Sequence, residues 1–433
     1  MPPNGGGKGS ELSTSKLLSI MVIGNLVEWI DWGVFGFITP ILGKLFFPVQ
    51  SPLIALASTF LIFGVGFLAR PIGGIVWGYV GDKVGRRTAM LWAFILMALS
   101  SILTGLSPTF SQVGVIAPFF LVAFRLLQGL SVGGEFGGAI SYLIENAGFS
   151  ILRGRGFLSS MQQFSTLLSL LVGITVSIFF TSLPIDQVYS YGWRLAFIVP
   201  AALALPIGIY IRYKMPETPL YEKNKEENRV EKNPLAKVVK ASWKRILLGI
   251  GMLVIGTLDF YIGITFMPSY LTTVLHYSLT QALSFVVFGI IIAASFVWIF
   301  GIISDKYGRR KIGIIGALWY IILTYPVFLI VNSGNTLNVI MAVTLLNFGI
   351  APLSGATVAW IAELFPTTTR YSGFSLVVQV GVGLIGGFSP YIATLLISLT
   401  GNTFAPAYYV IAGAIISAIF MIVLPETYKE KLE

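Results

Sequence analysis

Long apolar stretches, separated by short charged or Gly/Pro-rich loops, run through the whole chain. The stretches are continuous, as in Ile246 to Gly256 and Phe285 to Ala294, and an α-helix needs about 20 such residues to cross a bilayer. The strands of a membrane β-barrel would show alternating segments of about ten residues. The pattern predicts an all-α integral membrane protein with twelve transmembrane helices. The predicted spans are 17–43, 53–80, 88–107, 115–141, 157–182, 194–213, 245–271, 281–303, 312–332, 338–362, 372–398 and 406–424.

Composition supports a membrane protein. The chain is 55% hydrophobic and 11% charged, whereas soluble domains carry about 25% charged residues. The first ten residues are rich in Gly and Pro, and the first apolar stretch is too long for a cleavable signal peptide. We therefore expect a cytosolic tail at 1–16, followed directly by the first span.

The distribution of basic residues predicts the orientation. If the amino terminus is cytosolic, 24 of the 28 Lys and Arg residues fall on the cytosolic side. Lys44 and Arg194 fall outside, and Arg70 and Arg125 lie within spans. This is the positive-inside pattern, with both termini in the cytosol. The net charge of +10 is thereby explained by topology, and no basic soluble module indicates nucleic-acid binding.

Three sequence markers occur twice, in the same order and at matching ends of spans. The decapeptide that begins at Gly78 after span 2 is echoed 223 residues later by the one that begins at Gly301 after span 8. The other two are Glu145, Arg153 and Gly156 with Glu363, Arg370 and Gly373, and Pro216-Glu217-Thr218 with Pro425-Glu426-Thr427. The repeats predict two pseudo-symmetric six-helix bundles. The expected divisions are 17–214, a cytosolic linker at 215–244 with amphipathic helix or simple solvated chain, 245–428, and a tail at 429–433.

These residues resemble the major facilitator superfamily. The repeated Gly-x-x-x-Asp-Lys-x-Gly-Arg-Arg loop is similar to that superfamily's signature, and the Glu-x6-Arg spacing and Pro-Glu-Thr ends resemble its sugar-porter-like branches. A narrower resemblance is to the metabolite:proton symporters, which carry citrate, 2-oxoglutarate, shikimate, proline or betaine. It rests on 24–31 (GNLVEWID), 70–74 (RPIGG), 125–129 (RLLQG), 133–135 (GGE) and 267–271 (MPSYL). The resemblance implies a proton-coupled carrier in a prokaryotic plasma membrane; Asp259 departs from the family pattern.

Five charged residues lie well inside the predicted spans, away from their ends. Because a charge at membrane depth is costly, such side chains normally face a partner or a wet cavity. They are the first candidates for binding substrate or proton. They are Glu28, Asp31, Arg70, Arg125 and Asp259.

One helical stripe in span 1 combines polar and aromatic residues. Asn25, Glu28, Asp31 with Trp32, and Phe35 recur at three- and four-residue spacing. Burial favours the neutral form of an acid and a nearby guanidinium favours the charged form, so such an acid can load and release a proton. Our hypothesis is that Asp31 or Glu28 carries the proton. The alternative is a permanent ion pair that only fixes the helices.

Arg125 in span 4 is the expected partner of Asp31. A guanidinium stays charged and suits bidentate capture of a carboxylate, and Gln128 lies one turn further on nearly the same face. We expect Arg125 to hold Asp31 in the empty carrier and to release it when substrate or proton arrives. A purely structural Arg125 is the alternative.

The remaining candidates have less specific surroundings. Arg70 is expected as a gate or anion contact near the cytosolic end of the cavity, or else as a packed or snorkelling arginine. Asp259 with Tyr261 predicts a polar patch in span 7, serving as a second proton site or a counter-charge for a cationic group. Gln379 and Asn347 are expected to add neutral hydrogen bonds to the substrate or to a neighbouring helix.

Glycines and the cytosolic loops have structural roles. Overlapping Gly-x-x-x-Gly spacings at 129–138, 74–78 and 383–387 predict close helix packing. The resemblance implies that Asp82 and Asp305 pair with arginines or with a helix amino terminus, forming a latch that favours the outward-open state. The expected latch residues are Arg70, Asp82, Arg86, Arg87, Glu145, Glu217, Asp305, Arg309, Arg310, Glu363, Arg370 and Glu426.

The leading hypothesis is a proton-coupled symporter for a small organic acid or zwitterion that works by rocker-switch alternating access. A sugar or polyol transporter and a drug:proton antiporter remain alternatives. An enzyme is not expected, because the chain shows no nucleophile–base pair, Walker loop or HExxH motif, and a receptor would need a soluble signalling domain. Zero Cys and one His predict no disulfide and no metal site. We expect no cofactor, a small-molecule substrate, a proton rather than sodium, a lipid bilayer, no nucleic acid, and a monomer.

Overall fold

The computed structural model describes residues 25, 28–49, 51–84, 86–133, 154–214 and 234–430, without the side chains of 78, 81–87, 211–214, 234–239, 241, 367–369 and 371. This part of the chain is all-α. Its helices are α1 (28–37 and Thr39–Phe46), α2 (Pro52–Leu68 and Arg70–Val84), α3 (Arg86–Leu106), α4 (Ala117–Val132), α5 (Arg155–Thr181), α6 (Trp193–Lys214), α7 (Pro234–Phe260, Tyr261–Phe266 and Met267–Thr273), α8 (Leu279–Tyr307), α9 (Arg309–Val331), α10 (Thr336–Phe348 and Ile350–Glu363), α11 (Thr367–Val380, Gly381–Gly386 and Ser389–Thr400) and α12 (Ala405–Val423).

Eleven helices in the described part of the chain are long and apolar enough to cross a membrane. They correspond to α2–α12, and the described part of α1 precedes them where the first span is predicted. Polar residues mark some of the ends: Ser278 and Gln281 form a capping box at the start of α8, and Gly308 ends that helix with φ +105°. The predicted order of twelve helices is therefore present.

Two of the membrane helices in the second half contain a widened π-helical turn. In α7 this is Tyr261–Phe266 and in α11 it is Gly381–Gly386, and each lies shortly before a proline, Pro268 or Pro390. Proline has no N–H to donate, so the helix adjusts locally before it. Single π-helical turns are frequent at functional sites. Both turns belong to the second half of the chain. In the first half, a π-helical segment, Val188–Gly192, directly precedes α6.

The described part of the predicted linker is helical. Helix α7 begins at Pro234, inside the expected 215–244 segment, and Ser242 breaks it with φ −131° and ψ 19°. The part that is long and apolar enough to cross a membrane begins at Ser242. Residues 234–241 before the break are thus helical, and the amphipathic character that was one of the two expectations for the linker stays a prediction.

Helix packing repeats between the two halves. In the first half α3 packs on α6 and α4, and α2 packs on α4; in the second, α9 packs on α12 and α10, and α8 packs on α10. Between the halves, α2 packs on α11 and α5 packs on α8. Exchanging the halves converts one of these two contacts into the other. The two six-helix bundles are thus related by pseudo-twofold symmetry.

Glycines bring α2 and α4 into direct backbone contact. A Cβ added to Gly129 would lie 1.8 Å from the carbonyl oxygen of Gly66, and one added to Gly133 would lie 2.0 Å from that of Arg70. Only glycine permits this approach. The contact fixes α2 and α4 relative to each other, and both helices carry a buried arginine.

The two halves also touch at both ends of the bundle. The end of the bundle at which α8 and α12 end and α5 and α9 begin is called the basic end. The opposite end is called the far end. At the far end the hydroxyls of Thr181 and Thr280 lie 3.4 Å apart, and Phe60 packs on Phe266 with ring centroids 6.2 Å apart. The basic end is held by the charged contacts described below.

Candidate functional site

Two buried ion pairs lie at the centre of the first half. An Arg70 Nη2 lies 3.1 Å from a Glu28 carboxylate oxygen, and an Arg125 Nη1 lies 3.3 Å from Asp31 Oδ2. Arg125 is 0% exposed and Glu28 is 3% exposed. Buried charges persist where each has a counter-charge. The pairs join α1 to α2 and α1 to α4, and they bring together four of the five charged residues predicted inside the spans.

One indole ring, that of Trp32, contacts both arginines. The guanidinium carbon of Arg70 lies 4.7 Å from the Trp32 ring centroid and that of Arg125 lies 5.6 Å from it. Arg125 also lies 4.3 Å from the Phe35 ring. Cation–π attraction of this kind is stronger where water is excluded. Trp32 and Phe35 are both on the predicted stripe of α1.

Three aromatic rings surround the Arg70 guanidinium. Its carbon lies 5.9 Å from the Trp29 ring centroid, 4.7 Å from Trp32 and 4.5 Å from Phe67. These rings, together with the Glu28 carboxylate, are called the aromatic cage below. Tryptophan and phenylalanine are common in membrane helices, so their convergence on one cation could not be recognised from the sequence alone.

Several buried polar atoms at the site make no hydrogen bond among the described residues. They include all three guanidinium nitrogens of Arg125 and both side-chain polar atoms of Gln128. Buried polar groups without hydrogen bonds are rare in proteins and require an explanation. Arg125 and Gln128 lie one turn apart on α4. Together they offer a cluster of donors that a carboxylate could use.

The second half covers the site through α7. Phe260 packs on Trp29 at 5.4 Å and Tyr261 packs on Phe67 at 5.6 Å between ring centroids. The Tyr261 hydroxyl is buried without a hydrogen bond among the described residues and lies near the charges of Arg70 and Glu28. Tyr261 is therefore the predicted site residue of the second half that the structure brings to the ion pairs.

Asp31 has a further partner that the sequence reasoning missed. Ser101 on α3 donates a hydrogen bond from its hydroxyl to Asp31 Oδ1. A cavity of about 20 Å³ is lined by both residues and by Phe197, among others, and a volume of this order holds one water molecule. A serine in a membrane helix carries no sequence signal that distinguishes this contact from a bond to its own helix.

The structure places Asn25 in a link between α1 and α5. Its amide donates to the hydroxyls of Ser165 at 3.1 Å and Thr166 at 2.9 Å, and its carbonyl oxygen accepts from Gln162 at 3.0 Å. The amide is thus fully engaged within the first half. It lies on the predicted stripe, next to the ion pairs along α1.

Asp259 and Tyr261 do not form one patch. Asp259 is 2% exposed, accepts from the backbone N–H of Phe260 at 2.5 Å, and lies beside the hydroxyl of Tyr320 on α9. No described Lys, Arg or His forms an ion pair with it. Residues two apart on a helix point in nearly opposite directions, so Tyr261 faces the first half and Asp259 faces α9.

The two neutral candidates lie on α10 and α11. The Asn347 amide donates to the carbonyl oxygens of Gly263 at 3.3 Å and Val343 at 2.9 Å, which links α10 to the π-helical turn of α7. Gln379 is half-buried on α11, and its amide makes no hydrogen bond among the described residues.

At the basic end a carboxylate of one half caps a helix of the other. Asp305, at the end of α8, accepts from the backbone N–H groups of Gly156 at 2.8 Å and Phe157 at 2.9 Å. These are at the start of α5, where the helix dipole favours negative charge. Arg309 also donates to Asp305 at 2.7 Å. Both kinds of partner expected for Asp305 are present.

Glu363 connects the halves at the same end. It pairs with Arg309 at 3.0 Å and with Nε of Arg155 at 3.1 Å, and it accepts from the Thr427 hydroxyl at 2.5 Å. The same Arg155 donates to the backbone carbonyl of Tyr428 at 2.8 Å. Arg155 was absent from the predicted latch, because its partners come from two distant segments of the second half.

Of the other predicted latch residues, Arg70 pairs with Glu28 inside the first half, and the rest either have the second-half contacts given next or lie outside the described residues. Glu426 accepts from the backbone N–H groups of Arg309 at 2.9 Å and Arg310 at 3.0 Å, so it caps α9 rather than pairing with a guanidinium. Arg310 donates to the carbonyl of Leu424, and Arg370 donates to that of Ala362 at 3.2 Å. Glu145, Glu217 and the side chains of Asp82, Arg86 and Arg87 lie outside the described part.

Comparison with solved structures supports the fold. The D-xylose–proton symporter has a TM-score of 0.73 at 20% identity, with 97% of this chain and 99% of that chain covered. The xylose transporter of E. coli in a partially occluded inward-open conformation has a TM-score of 0.75 at 19% identity, with 96% and 99% covered. At this level of identity the similarity shows the fold alone. It confirms the predicted arrangement of two six-helix bundles.

Comparison with protein families and curated relatives gives the family. The Major Facilitator Superfamily model matches residues 21–376 and 293–433. A glycine betaine/proline/ectoine/pipecolic acid transporter of Dickeya dadantii is 32% identical, with 96% of this chain and 84% of the relative covered. The proline/betaine transporter of Escherichia coli K12 is 31% identical, with 96% and 85% covered. The chain is therefore a multi-pass membrane transporter rather than an enzyme, and it belongs to the major facilitator superfamily, in the same family as these two relatives.

Proposed function

We propose that this chain is a proton-coupled symporter of small zwitterions that carry one carboxylate. The observation that carries the proposal is the state of Arg125. It is 0% exposed and touches Asp31, yet none of its three guanidinium nitrogens makes a hydrogen bond among the described residues. A rigid fork of charged donors in that condition suits bidentate capture of a carboxylate.

The substrates for which the two relatives are named fit this chemistry. Glycine betaine, proline, ectoine and pipecolic acid are small molecules that combine one carboxylate with one cationic nitrogen group. The centre of this chain combines two basic and two acidic side chains within one buried cluster. A neutral zwitterion meets both signs of charge there. A neutral sugar has no charged group that could pair with these side chains.

Coupling follows from competition for Arg125. In the substrate-free carrier, Asp31 forms an ion pair with the Arg125 guanidinium and accepts a hydrogen bond from the Ser101 hydroxyl. Protonation of Asp31 removes its charge and releases Arg125, which then takes the substrate carboxylate. When the substrate leaves, Arg125 pairs with Asp31 again, and its positive charge favours loss of the proton from Asp31. Substrate and proton thus bind together, and no sodium site is needed, because one titratable acid suffices.

Alternating access would follow from rocking of the two bundles about the central site. The halves contact each other at both ends, through Asp305 and Glu363 at the basic end and through Thr181 and Thr280 at the far end. Breaking one set while keeping the other opens the site to one side. Each contact is weak by itself, so the network as a whole sets the balance.

In the proposed orientation the basic end and both termini face the cytosol, and the carrier acts as a monomer in a prokaryotic plasma membrane. The support is the excess of basic residues in the loops at that end, 24 of 28 in all.

Single cysteines introduced into this cysteine-free chain can test the orientation. A membrane-impermeant maleimide should label Gly334→Cys in intact cells and Glu430→Cys only after permeabilisation. The reverse pattern would invert the orientation.

Uptake into proteoliposomes tests the function. The purified carrier should accumulate radiolabelled glycine betaine or proline when the lumen is alkaline, and collapse of the pH gradient by a protonophore should abolish accumulation. An imposed sodium gradient without a pH gradient should give none. A thermal-shift screen against organic acids, amino acids, betaines and sugars provides an independent measurement. Stabilisation by a sugar and by no zwitterion would overturn the proposal.

A further inference from the structure

The Arg70 guanidinium fills a space built from aromatic rings. Trp29, Trp32 and Phe67 lie around it at 4.5–5.9 Å from ring centroid to guanidinium carbon, and Glu28 supplies the only described ion pair, at 3.1 Å. Arg70 itself is 5% exposed. The surroundings therefore stabilise a positive charge through ring faces and one carboxylate.

The same surroundings serve a guanidinium poorly in one respect. Its Nε and Nη2 make no hydrogen bond among the described residues, and the contact with Glu28 is close without hydrogen-bond geometry. A buried N–H donor that lacks an acceptor costs free energy. The aromatic cage thus provides ring faces and one negative charge, which suit a cation without N–H groups. It lacks the hydrogen-bond acceptors that an arginine requires.

A fully alkylated ammonium is such a cation. Its charge is spread over methyl or methylene groups, it donates no N–H hydrogen bond, and aromatic cages recognise it through ring faces. We propose that the aromatic cage of Trp29, Trp32, Phe67 and Glu28 binds the ammonium group of the substrate, and that Arg70 holds this place in the substrate-free carrier. The inference rests on the proposed function and adds to it the chemical class that the site prefers.

The position of the aromatic cage fits a short zwitterion. Trp32 contacts Arg70 and Arg125, so the aromatic cage and the carboxylate site adjoin the same indole ring. The ammonium and the carboxylate of a small zwitterion would then both lie beside this ring. When the ammonium enters, Arg70 must leave, and the Tyr261 hydroxyl beside it is a buried acceptor without a described hydrogen bond.

The second half of the carrier supports one wall of the aromatic cage. A Cβ added to Gly387 on α11 would lie 2.6 Å from the Phe67 ring, so this ring is packed directly against the α11 backbone. Phe260 of α7 similarly packs on Trp29. Movement of the second half relative to the first therefore alters the aromatic cage. Binding of the ammonium is thereby linked to the rocking of the two bundles.

Competition with a carbon isostere tests the ammonium site. The compound 3,3-dimethylbutanoate has the shape and carboxylate of glycine betaine, with carbon in place of the charged nitrogen. Both are tested as inhibitors of radiolabelled glycine betaine uptake, beside N-methylglycine and N,N-dimethylglycine. We expect inhibition to strengthen with each methyl group and the isostere to be at least about tenfold weaker than betaine. Equal inhibition by betaine and the isostere would overturn the inference.

Variants of Trp32 test whether the aromatic cage is the part of the carrier that distinguishes betaine from its carbon isostere. Trp32→Phe and Trp32→Leu should reduce the preference for betaine over the isostere stepwise, because the ring face weakens and then disappears. Trp92→Leu is the matched control: Trp92 lies on α3, is 57% exposed, and should leave the preference unchanged. Thermal melting checks that each variant is folded. If folded Trp32→Phe and Trp32→Leu both retain the wild-type preference, the aromatic cage is not the site.

Chemical rescue provides a test that needs no transport. Arg70→Ala leaves Glu28 and the three rings without their cation and should lower the melting temperature. Tetramethylammonium should then stabilise Arg70→Ala more than the wild type, in which Arg70 competes, whereas neutral tert-butanol should not. Equal stabilisation of both proteins by tetramethylammonium would refute the place-holding role of Arg70.

The two proposals fail in different ways. If no zwitterion is accumulated under any pH gradient, the proposed function is wrong. If betaine is accumulated in a pH-driven manner while the isostere inhibits equally well, the proposed function stands and the aromatic cage is wrong.

Discussion

Arg125 has a contact with Asp31 but no described hydrogen bond, and this predicts how a lysine would behave in its place. Arg125→Lys keeps the positive charge beside Asp31 and loses the planar fork. Because hydrogen bonds to charged groups contribute about 1.5–3 kcal/mol, pH-driven uptake should fall about ten- to hundredfold while the melting temperature changes little. Unchanged accumulation in proteoliposomes would show that Arg125 has only a structural role.

The two buried aspartates should respond differently to the same substitution. Asp31→Asn cannot take up a proton, so it should lose accumulation driven by a pH gradient and retain exchange of substrate across vesicles at equal pH. Asp259 has no ion-pair partner among the described residues and lies beside the Tyr320 hydroxyl on α9, away from Arg70 and Arg125. Asp259→Asn should therefore retain both activities. Loss of pH-driven accumulation in Asp259→Asn alone would make Asp259 the coupling acid.

The charged residues of the site could be predicted from the sequence, whereas its aromatic residues could not. Charges in apolar spans are conspicuous because they are costly, which singles out Glu28, Asp31, Arg70 and Arg125. The pairing of Arg70 with Glu28 depends on how α1 and α2 are rotated, which a single sequence does not contain. The convergence of rings on Arg70 depends on the same rotations, and tryptophan is unremarkable in such helices.

Among the helices, the contact of α2 with α4 depends on glycine. Gly129→Ala would place a Cβ 1.8 Å from the carbonyl oxygen of Gly66, and two packed backbones cannot separate without moving Arg70 and Arg125. The melting temperature should fall by several degrees and uptake should be lost. Gly256→Ala on α7 is the matched control, because its nearest neighbour atom is 3.8 Å away and alanine favours the helix. Equal stability of both variants would contradict close packing at Gly129.

The cap on α5 should control opening of the basic end. Asp305→Asn loses the negative charge that faces the α5 amino terminus and Arg309. Ser160→Cys reports the opening, since Ser160 is 0% exposed and its hydroxyl would lie 2.5 Å from a Cβ on Gly301 of α8. We expect alkylation of that cysteine by N-ethylmaleimide to become several-fold faster in Asp305→Asn.

The control for this measurement is the neighbouring exposed cation. Lys306→Gln changes the charge at the end of α8 by one unit but removes no described contact between the halves, so the alkylation rate should stay at the wild-type value. If Asp305→Asn also leaves the rate unchanged, the cap does not hold the halves together.

For the whole molecule, hydropathy and the internal repeats were sufficient to predict twelve helices in two bundles. They could not predict the interruptions at Ala69, in the π-helical turns of α7 and α11, or at Gly349, because an apolar run remains apolar through a kink. The prolines and glycines near these points were visible, but such residues occur in straight membrane helices as well. Hydropathy therefore gives the number of helices, whereas their interruptions depend on packing between them.

The charge of the central site predicts that transport responds to membrane potential. Glu28, Asp31, Arg70 and Arg125 sum to zero, and a zwitterion adds no charge, so a cycle that carries one proton moves one positive charge. Moving one charge across 100 mV is worth about 2.3 kcal/mol. At equal pH on both sides, an inside-negative potassium diffusion potential set with valinomycin should therefore drive accumulation of glycine betaine. Asp31→Asn, which cannot carry the proton, should still exchange substrate but should show no accumulation driven by that potential. Accumulation by the wild type that ignores the potential would mean that the cycle moves no net charge and that the proton does not travel with the substrate.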